Sequence, residues 1–222
     1  MFGKGLWPIG WSIGLIRLPL AHVLDWVGES DTDADQIELG TAPIDAQVAQ
    51  LLPMEMPYRK RLFVDVSEAW TAAFDNSRAG GDPFPIVSGI ARDRLVVAIL
   101  ATHRDRAQTS SPATQFHLFG PTGDAPLMYV RTVDAGVFDS GRWSFRTSGQ
   151  VQPFEQAARY DERLVADRFT RPMLVDYLAA VGVRPDDDEA YGDGVLCVER
   201  ASWEPGWTAS LEEARGEHLS ST

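Results

Sequence analysis

Between residues 59 and 147 the chain repeats one pattern: a short run of β-branched and aromatic residues, a cluster of turn-formers, then another run. Leu62-Phe63-Val64-Asp65-Val66 and Trp70-Thr71-Ala72-Ala73-Phe74 open the series, and residues 95–101, 114–119, 127–133 and 143–147 continue it. The separators are Asp75-Asn76-Ser77 with Gly80-Gly81, Ser110-Ser111-Pro112, Gly120-Pro121-Thr122-Gly123-Asp124 and Asp139-Ser140-Gly141. Gly, Pro, Asn and Asp supply the backbone angles and local hydrogen bonds of tight reversals. Most separators are too short for a parallel crossover, so antiparallel hairpins follow. Gln115 and His117 alternate with Phe116 and Leu118, and Met128 and Val130 with Tyr129 and Arg131. That period of two predicts one buried and one wet face.

The flanks change period. Residues 12–18 read as a short strand, and Pro19 then suits the first turn of a helix carrying Leu20, Val23, Leu24 and Val27 at helical spacing, with Gly28 as its stop. Residues 29–35 read as an exposed acidic loop, and residues 43–52 as a helix ended by Pro53. Residues 85–92 fit a short helix and residues 154–169 a longer one. Thr170 is placed to cap a further helix that runs to Gly182, with Leu174, Leu178 and Val181 inward. An acidic loop, Asp186-Asp187-Asp188-Glu189, precedes a last strand over 194–199.

The expected fold is α+β: a mainly antiparallel sheet of about six to seven strands with N- and C-terminal helices packed on it. One domain would span residues 1–203, divided into strand and helices (1–57), sheet (58–150) and helices with the last strand (151–203). Residues 204–222 are expected as a flexible tail, with Trp203 and Trp207 able to pin part of it.

Charge narrows the partners. The 222 residues hold 32 acids and 20 bases, a formal charge of −12, with 2 bases against 8 acids in 1–57, 11 against 9 in 58–150 and 7 against 15 in 151–222. Such acidic ends oppose binding to nucleic acid or to an anionic membrane. The N-terminal apolar stretch is interrupted by Pro8, Arg17 and Pro19 and is too short to span a bilayer. Cys197 is the lone cysteine and lies in the run Val195-Leu196-Cys197-Val198, which predicts a buried thiol and a reducing, cytoplasmic setting.

No phosphate-binding loop, dinucleotide fingerprint, zinc motif or nucleophile elbow is present, and no cofactor or metal is expected. His22, His103, His117 and His218 are scattered, although neighbouring strands could gather His103 and His117. Trp70 and Phe74 can serve as recognition anchors on one strand face, feeding Asp75 and Asn76; equally, the two rings pack inward and the polar pair builds a turn. Arg59-Lys60-Arg61 fits the exposed edge of a strand. Trp143 and Phe145 fit inter-element packing.

The strings Trp-Thr-Ala-x-Phe-Asp-Asn-Ser (70–77), Gly-Gly-Asp-Pro (80–83), Tyr-x-Arg-Thr (129–132), Gly-Arg-Trp-x-Phe (141–145), Gln-Pro-Phe-Glu (152–155) and Asp-Arg-Phe-Thr (167–170) together resemble a chiefly actinobacterial family of no established activity, over about residues 58–200. In size and acidity, though not in residues, the chain is also similar to immunity proteins that neutralise toxins. The expected function is a non-enzymatic cytoplasmic binding protein of immunity type, occluding a basic toxin domain. Acidic loops over 31–35 and at Asp186, Asp187 and Asp188 would steer it, and Trp70, Phe74, Asp75 and Asn76 would make contact. The alternatives are an enzyme using Asp75, Asn76, His103, His117 and Arg131, or a structural or phage-associated accessory protein.

Overall fold

The computed structural model describes residues 5–78, 82–138, 141–200 and 204–220. Gly80, Gly81, Asp139, Ser140 and Trp203, named above in turns and tail, lie outside the described residues.

The elements follow in order: β1 (Ser12–Ile16), α1 (Leu20–Ser30), β2 (Ala34–Gly40), α2 (Ile44–Ala49), β3 (Met54–Met56), β4 (Lys60–Ser67), β5 (Trp70–Asp75) and α3 (Phe84–Arg94). Then come β6 (Ala98–Arg104), β7 (Ala113–Asp124), β8 (Tyr129–Val137), β9 (Trp143–Gly149), α4 (Arg171–Ala180), β10 (Gly194–Glu199), β11 (Trp207–Ala209) and α5 (Leu211–Ser220). Among the described residues, nine strands form one antiparallel sheet in the order β2-β10-β4-β5-β1-β6-β7-β8-β9, and β3 pairs with β11 in a separate ribbon. The fold is therefore α+β as expected, but the sheet has nine strands where six to seven were expected.

The period of two sorts side chains onto two faces. On the first face Leu15, Leu62, Phe74, Ile99, Phe116 and Val133 form a core with Val48 of α2 and Leu174, Tyr177 and Leu178 of α4. On the second face Ile16, Phe63, Ala73, Ala98, Phe119 and Cys197 form another with Val23 of α1 and Val87 and Ile90 of α3. Because both faces of its centre are covered, β5 is buried at every position. α3 lies on β1 at Gly14, where an added Cβ would meet Val87 Cγ2 at 2.5 Å. The two helices cover only part of the second face: α1 touches β4 and β5, α3 touches β1, β6 and β7.

Several expectations need correction. Of the supposed acidic loop at 29–35, only 31–33 lie outside regular structure: residues 29–30 end α1 and residues 34–35 begin β2, an edge strand with no buried position. Residues 154–169 form two short 3-10 turns, 157–161 and 165–167, with no buried residue in either, so no apolar stripe drives a longer helix. Thr170 is the N-cap of α4 but its hydroxyl makes no capping bond. Residues 204–222, expected as a tail, contain β11 and α5, and Ala209 and Ala214 are buried. Arg59-Lys60-Arg61 leads into β4, which lies between β10 and β5 and not at an edge.

Candidate functional site

The polar positions of the second face begin where its helical cover stops. β6 pairs with β7 so that Leu100 faces His117 and Thr102 faces Gln115, while Ser12 of β1 lies across from Thr102 on the other side. One strand further, Asp134 of β8 is opposite Gln115. Alternation thus puts Ser12, Thr102, Arg104, Gln115, His117 and Asp134 on one surface, beside Phe84 at the start of α3. Together with Asp82, most of these side chains line a cavity of about 270 Å³.

Two hydrogen-bonded groups organise it. Ser12 Oγ and Thr102 Oγ1 are 2.9 Å apart and buried. Asp134 Oδ1 accepts from Gln115 Nε2 at 2.9 Å and lies 2.7 Å from His117 Nε2. Donation from Nε2 to the carboxylate leaves the His117 Nδ1 lone pair unused, and the ring is further oriented edge-on to Tyr129. His117 Nδ1 and Arg104 Nε are both buried with no hydrogen-bond partner among the described residues. Burial lowers the Arg104 pKa from its ordinary value, opposed by the charge of Asp82. Unsatisfied buried polar atoms cost stability, so their presence beside a cavity marks a place where a bound polar group changes the balance.

Neither Asp75 nor Asn76 lines the cavity. Asp75 is fully buried; its Oδ1 accepts the Ser77 N–H at 2.9 Å, and both oxygens accept the Asp82 N–H, at 3.2 and 3.1 Å. Burial pushes its pKa up to about 6. This carboxyl holds the backbone at Asp82, which lines the cavity. Asn76 Oδ1 accepts from the Arg59 and Lys60 amides at 3.2 and 3.0 Å, and Nδ2 donates to the Pro53 carbonyl at 2.8 Å and Glu55 Oε2 at 3.2 Å.

The remaining expected site residues lie elsewhere. Trp70 and Phe74 are buried in the first-face core, so neither is free to anchor a partner. Asp186, Asp187 and Asp188 precede β10, and Asp187 accepts the Glu189 amide at 3.1 Å. The other acidic loop joins β2 at the opposite end of the β2–β10 pair, where Asp31 pairs with Arg61 and Asp35 with Arg200. The two therefore do not make one acidic patch.

His103 is on the first face, bonded through Nδ1 to Thr114 Oγ1 at 3.1 Å, and burial pulls its pKa down to about 4. Arg131 is buried in a fork with Glu155, Nε to Oε1 at 2.9 Å and Nη2 to Oε2 at 2.7 Å. A register shift between Leu118 and Phe119 puts Arg131 opposite Leu118 and Tyr129 opposite Phe119, so these two residues face opposite ways, contrary to simple alternation. Of Asp75, Asn76, His103, His117 and Arg131, His117 alone lines the cavity. Cys197 is buried as expected, its thiol pKa pushed up to about 11 by burial. Among the described residues no trio of His, Cys, Asp or Glu is placed to hold a metal ion.

Sequence reasoning missed Ser12, Asp82, Thr102, Arg104, Gln115 and Asp134 as site members. The signal available was the pair of alternating strings Thr102-x-Arg104 and Gln115-x-His117 on adjacent strands. No protein-family model, curated protein or solved structure matches this chain.

Proposed function

We propose that this chain is a cytoplasmic binding protein of immunity type, without catalytic activity, that recognises a basic partner domain through the uncovered half of the second sheet face. The observation that carries this reading is the concave polar surface itself: hydroxyls, an amide, an oriented imidazole and Arg104, next to a rim carboxylate at Asp82. At about 270 Å³ the cavity is the size of a socket for one partner side chain, below the usual range for drug-sized ligands. Arg104, Gln115 and His117 offer hydrogen bonds to an inserted polar group, and exposed Asp82 offers an ion pair to a neighbouring cation. The formal charge of −12 favours encounter with a basic domain. No helix among the described residues is long and apolar enough to cross a membrane.

The test is to search the neighbouring genes for a toxin domain and to co-express any such domain with this chain, titrating the ratio of the two proteins; failure to bind any neighbouring gene product would count against the reading. Occlusion requires about one copy per toxin, and His117→Ala or Asp82→Lys abolishes growth. The Asp134–His117 pair favours a second reading, general-base catalysis on a toxin or its product. Protection at a small fraction of one copy per toxin would support that reading and contradict occlusion.

A further inference from the structure

The cavity of the socket holds a feature that one inserted side chain leaves unused: two opposite charges that do not meet. Arg104, two positions past Thr102 on β6, and Asp82, two residues before Phe84, both line it. No ion pair joins them. Among the described residues the Arg104 guanidinium makes neither an ion pair nor a hydrogen bond, and its Nε is buried. Arg61 and Arg131, by contrast, are neutralised inside the fold by Asp31 and Glu155. Burial lowers the Arg104 pKa and the charge of Asp82 opposes it, which places the two within each other's field across the gap. Asp82 Oδ1 accepts the Phe84 amide at 3.4 Å, and no described cation stands at ion-pair distance from that carboxylate.

The backbone holds both groups in place. Arg104 ends a strand paired with β7 at Ala113, and both Asp75 oxygens accept the Asp82 amide, at 3.2 and 3.1 Å. Groups positioned before a ligand arrives bind it at a smaller ordering cost. A molecule that carries an anion beside a cation satisfies both ends at once. In an α-amino acid one carbon separates the two, and a charge-assisted hydrogen bond of about 2.8 Å at each end lets it span a gap wider than a direct ion pair. Ser12 and Thr102 use one of their two O–H groups on each other, which leaves the second free to donate to a carboxylate oxygen. Phe84 and Leu100 add an apolar wall, and about 270 Å³ suits a ligand smaller than a drug.

We propose that the cavity binds a free α-amino acid with an aliphatic side chain, its carboxylate on Arg104, its ammonium on Asp82 and its side chain against Phe84 and Leu100. This inference uses the cavity of the partner socket but not the partner reading. An amino acid and an inserted partner side chain exclude each other there, so a saturating amino acid should weaken partner binding.

The probes are L-leucine, L-leucinamide, which lacks the carboxylate, and 4-methylpentanoate, which lacks the ammonium. They are titrated into the full chain alone by calorimetry at about pH 6.5, where an α-amino group is protonated. Leucine is expected to saturate, and each analogue to bind weaker by roughly tenfold or more. Arg104→Gln should weaken leucine by roughly tenfold or more and leave leucinamide as in wild type; Asp82→Asn should weaken leucine equally and leave 4-methylpentanoate unchanged. A variant without its fold would bind neither analogue, and the wild-type series then decides alone. The proposal is overturned if leucine does not saturate up to tens of millimolar, if either analogue binds as tightly as leucine, or if either folded variant binds leucine as wild type does. Leucine binding in a chain that binds no neighbouring gene product would keep this inference and remove the partner reading, and the reverse pattern would do the opposite.

Discussion

Asp75 sits at the end of β5 with no solvent contact, and its pKa near 6 stands above the ordinary value of 3.8. The folded state therefore binds its proton more tightly than the unfolded chain does. The resulting penalty is present in full above about pH 6 and fades as pH falls toward 4, a difference of about 3 kcal/mol for about two pH units. Asp75→Asn removes this titration. Measured by urea unfolding, the stability of wild type relative to Asp75→Asn should rise by about 3 kcal/mol from pH 8 to pH 4; a difference independent of pH contradicts the burial argument. Glu155 works in the opposite sense: although burial opposes it, the Arg131 fork, the Gln152 amide and the Tyr160 hydroxyl hold its carboxyl below the usual range. Its side chain is 0% exposed and that of Arg131 3%, so Glu155→Ala strands a buried cation and should cost about 3–5 kcal/mol. Arg131→Met/Glu155→Leu should recover most of that loss, which a double-mutant cycle measures. The polarity of Arg131 was legible in the sequence. Its partner was not, because Glu155 is reached only through β9 and the loop that follows.

Elements were legible where local chemistry decides them. The Ser110-Ser111-Pro112 cluster and the alternation in β7 locate the β6–β7 hairpin, and the Gly182 stop is where the chain turns left-handed, at φ +90°. The cluster at 120–124, expected as a turn, instead lies within β7 with the reversal at 125–128, and the cluster that begins at Asp75 leads into α3 and not into a hairpin. Elements decided by tertiary contact were not legible. β2 is an edge strand whose Ile37 is exposed, so its pattern reads as acidic loop. α5 buries only Ala214, and it is held by Arg215, which donates to the Trp7 carbonyl at 2.9 Å, and by His218 edge-on to Trp11. The segment 154–169 carries enough helix formers to suggest a helix, yet its termini are fixed by side chains: Gln156 N–H donates to Tyr177 Oη at 2.8 Å and Arg168 Nε to the Glu162 carbonyl at 2.8 Å. At the junction of α3 and β1, Gly14 lets the helix approach closely. Gly14→Ala should destabilise the fold by about 1–3 kcal/mol, because Val87 must move and both layers are close-packed. Thermal unfolding measures this, and an unchanged melting temperature would show that α3 shifts freely on the sheet.

At the scale of the molecule, nine strands make a sheet wider than two helices can cover on the second face, and the uncovered part is where polar side chains collect. Composition showed the acidity and the absence of standard catalytic motifs. It could not show that the acidic loops lie at opposite ends of the β2–β10 pair, or that Trp70 and Phe74 are core. The candidate site depends on strand register across β1, β6, β7 and β8, which places Ser12, Thr102, Gln115 and Asp134 side by side from four separate segments. Under the proposed function, recognition falls to the socket and the loops contribute long-range attraction. The direct measurement is the affinity of a basic partner domain, sought among the products of neighbouring genes, for three forms of this chain: wild type, Asp82→Lys/His117→Ala, and Asp186→Asn/Asp187→Asn/Asp188→Asn. The socket variant should bind weaker by roughly a hundredfold, through faster dissociation, and the loop variant by only a few-fold, through slower association at low salt. Full-strength binding by the socket variant, with loss in the loop variant, would contradict the account.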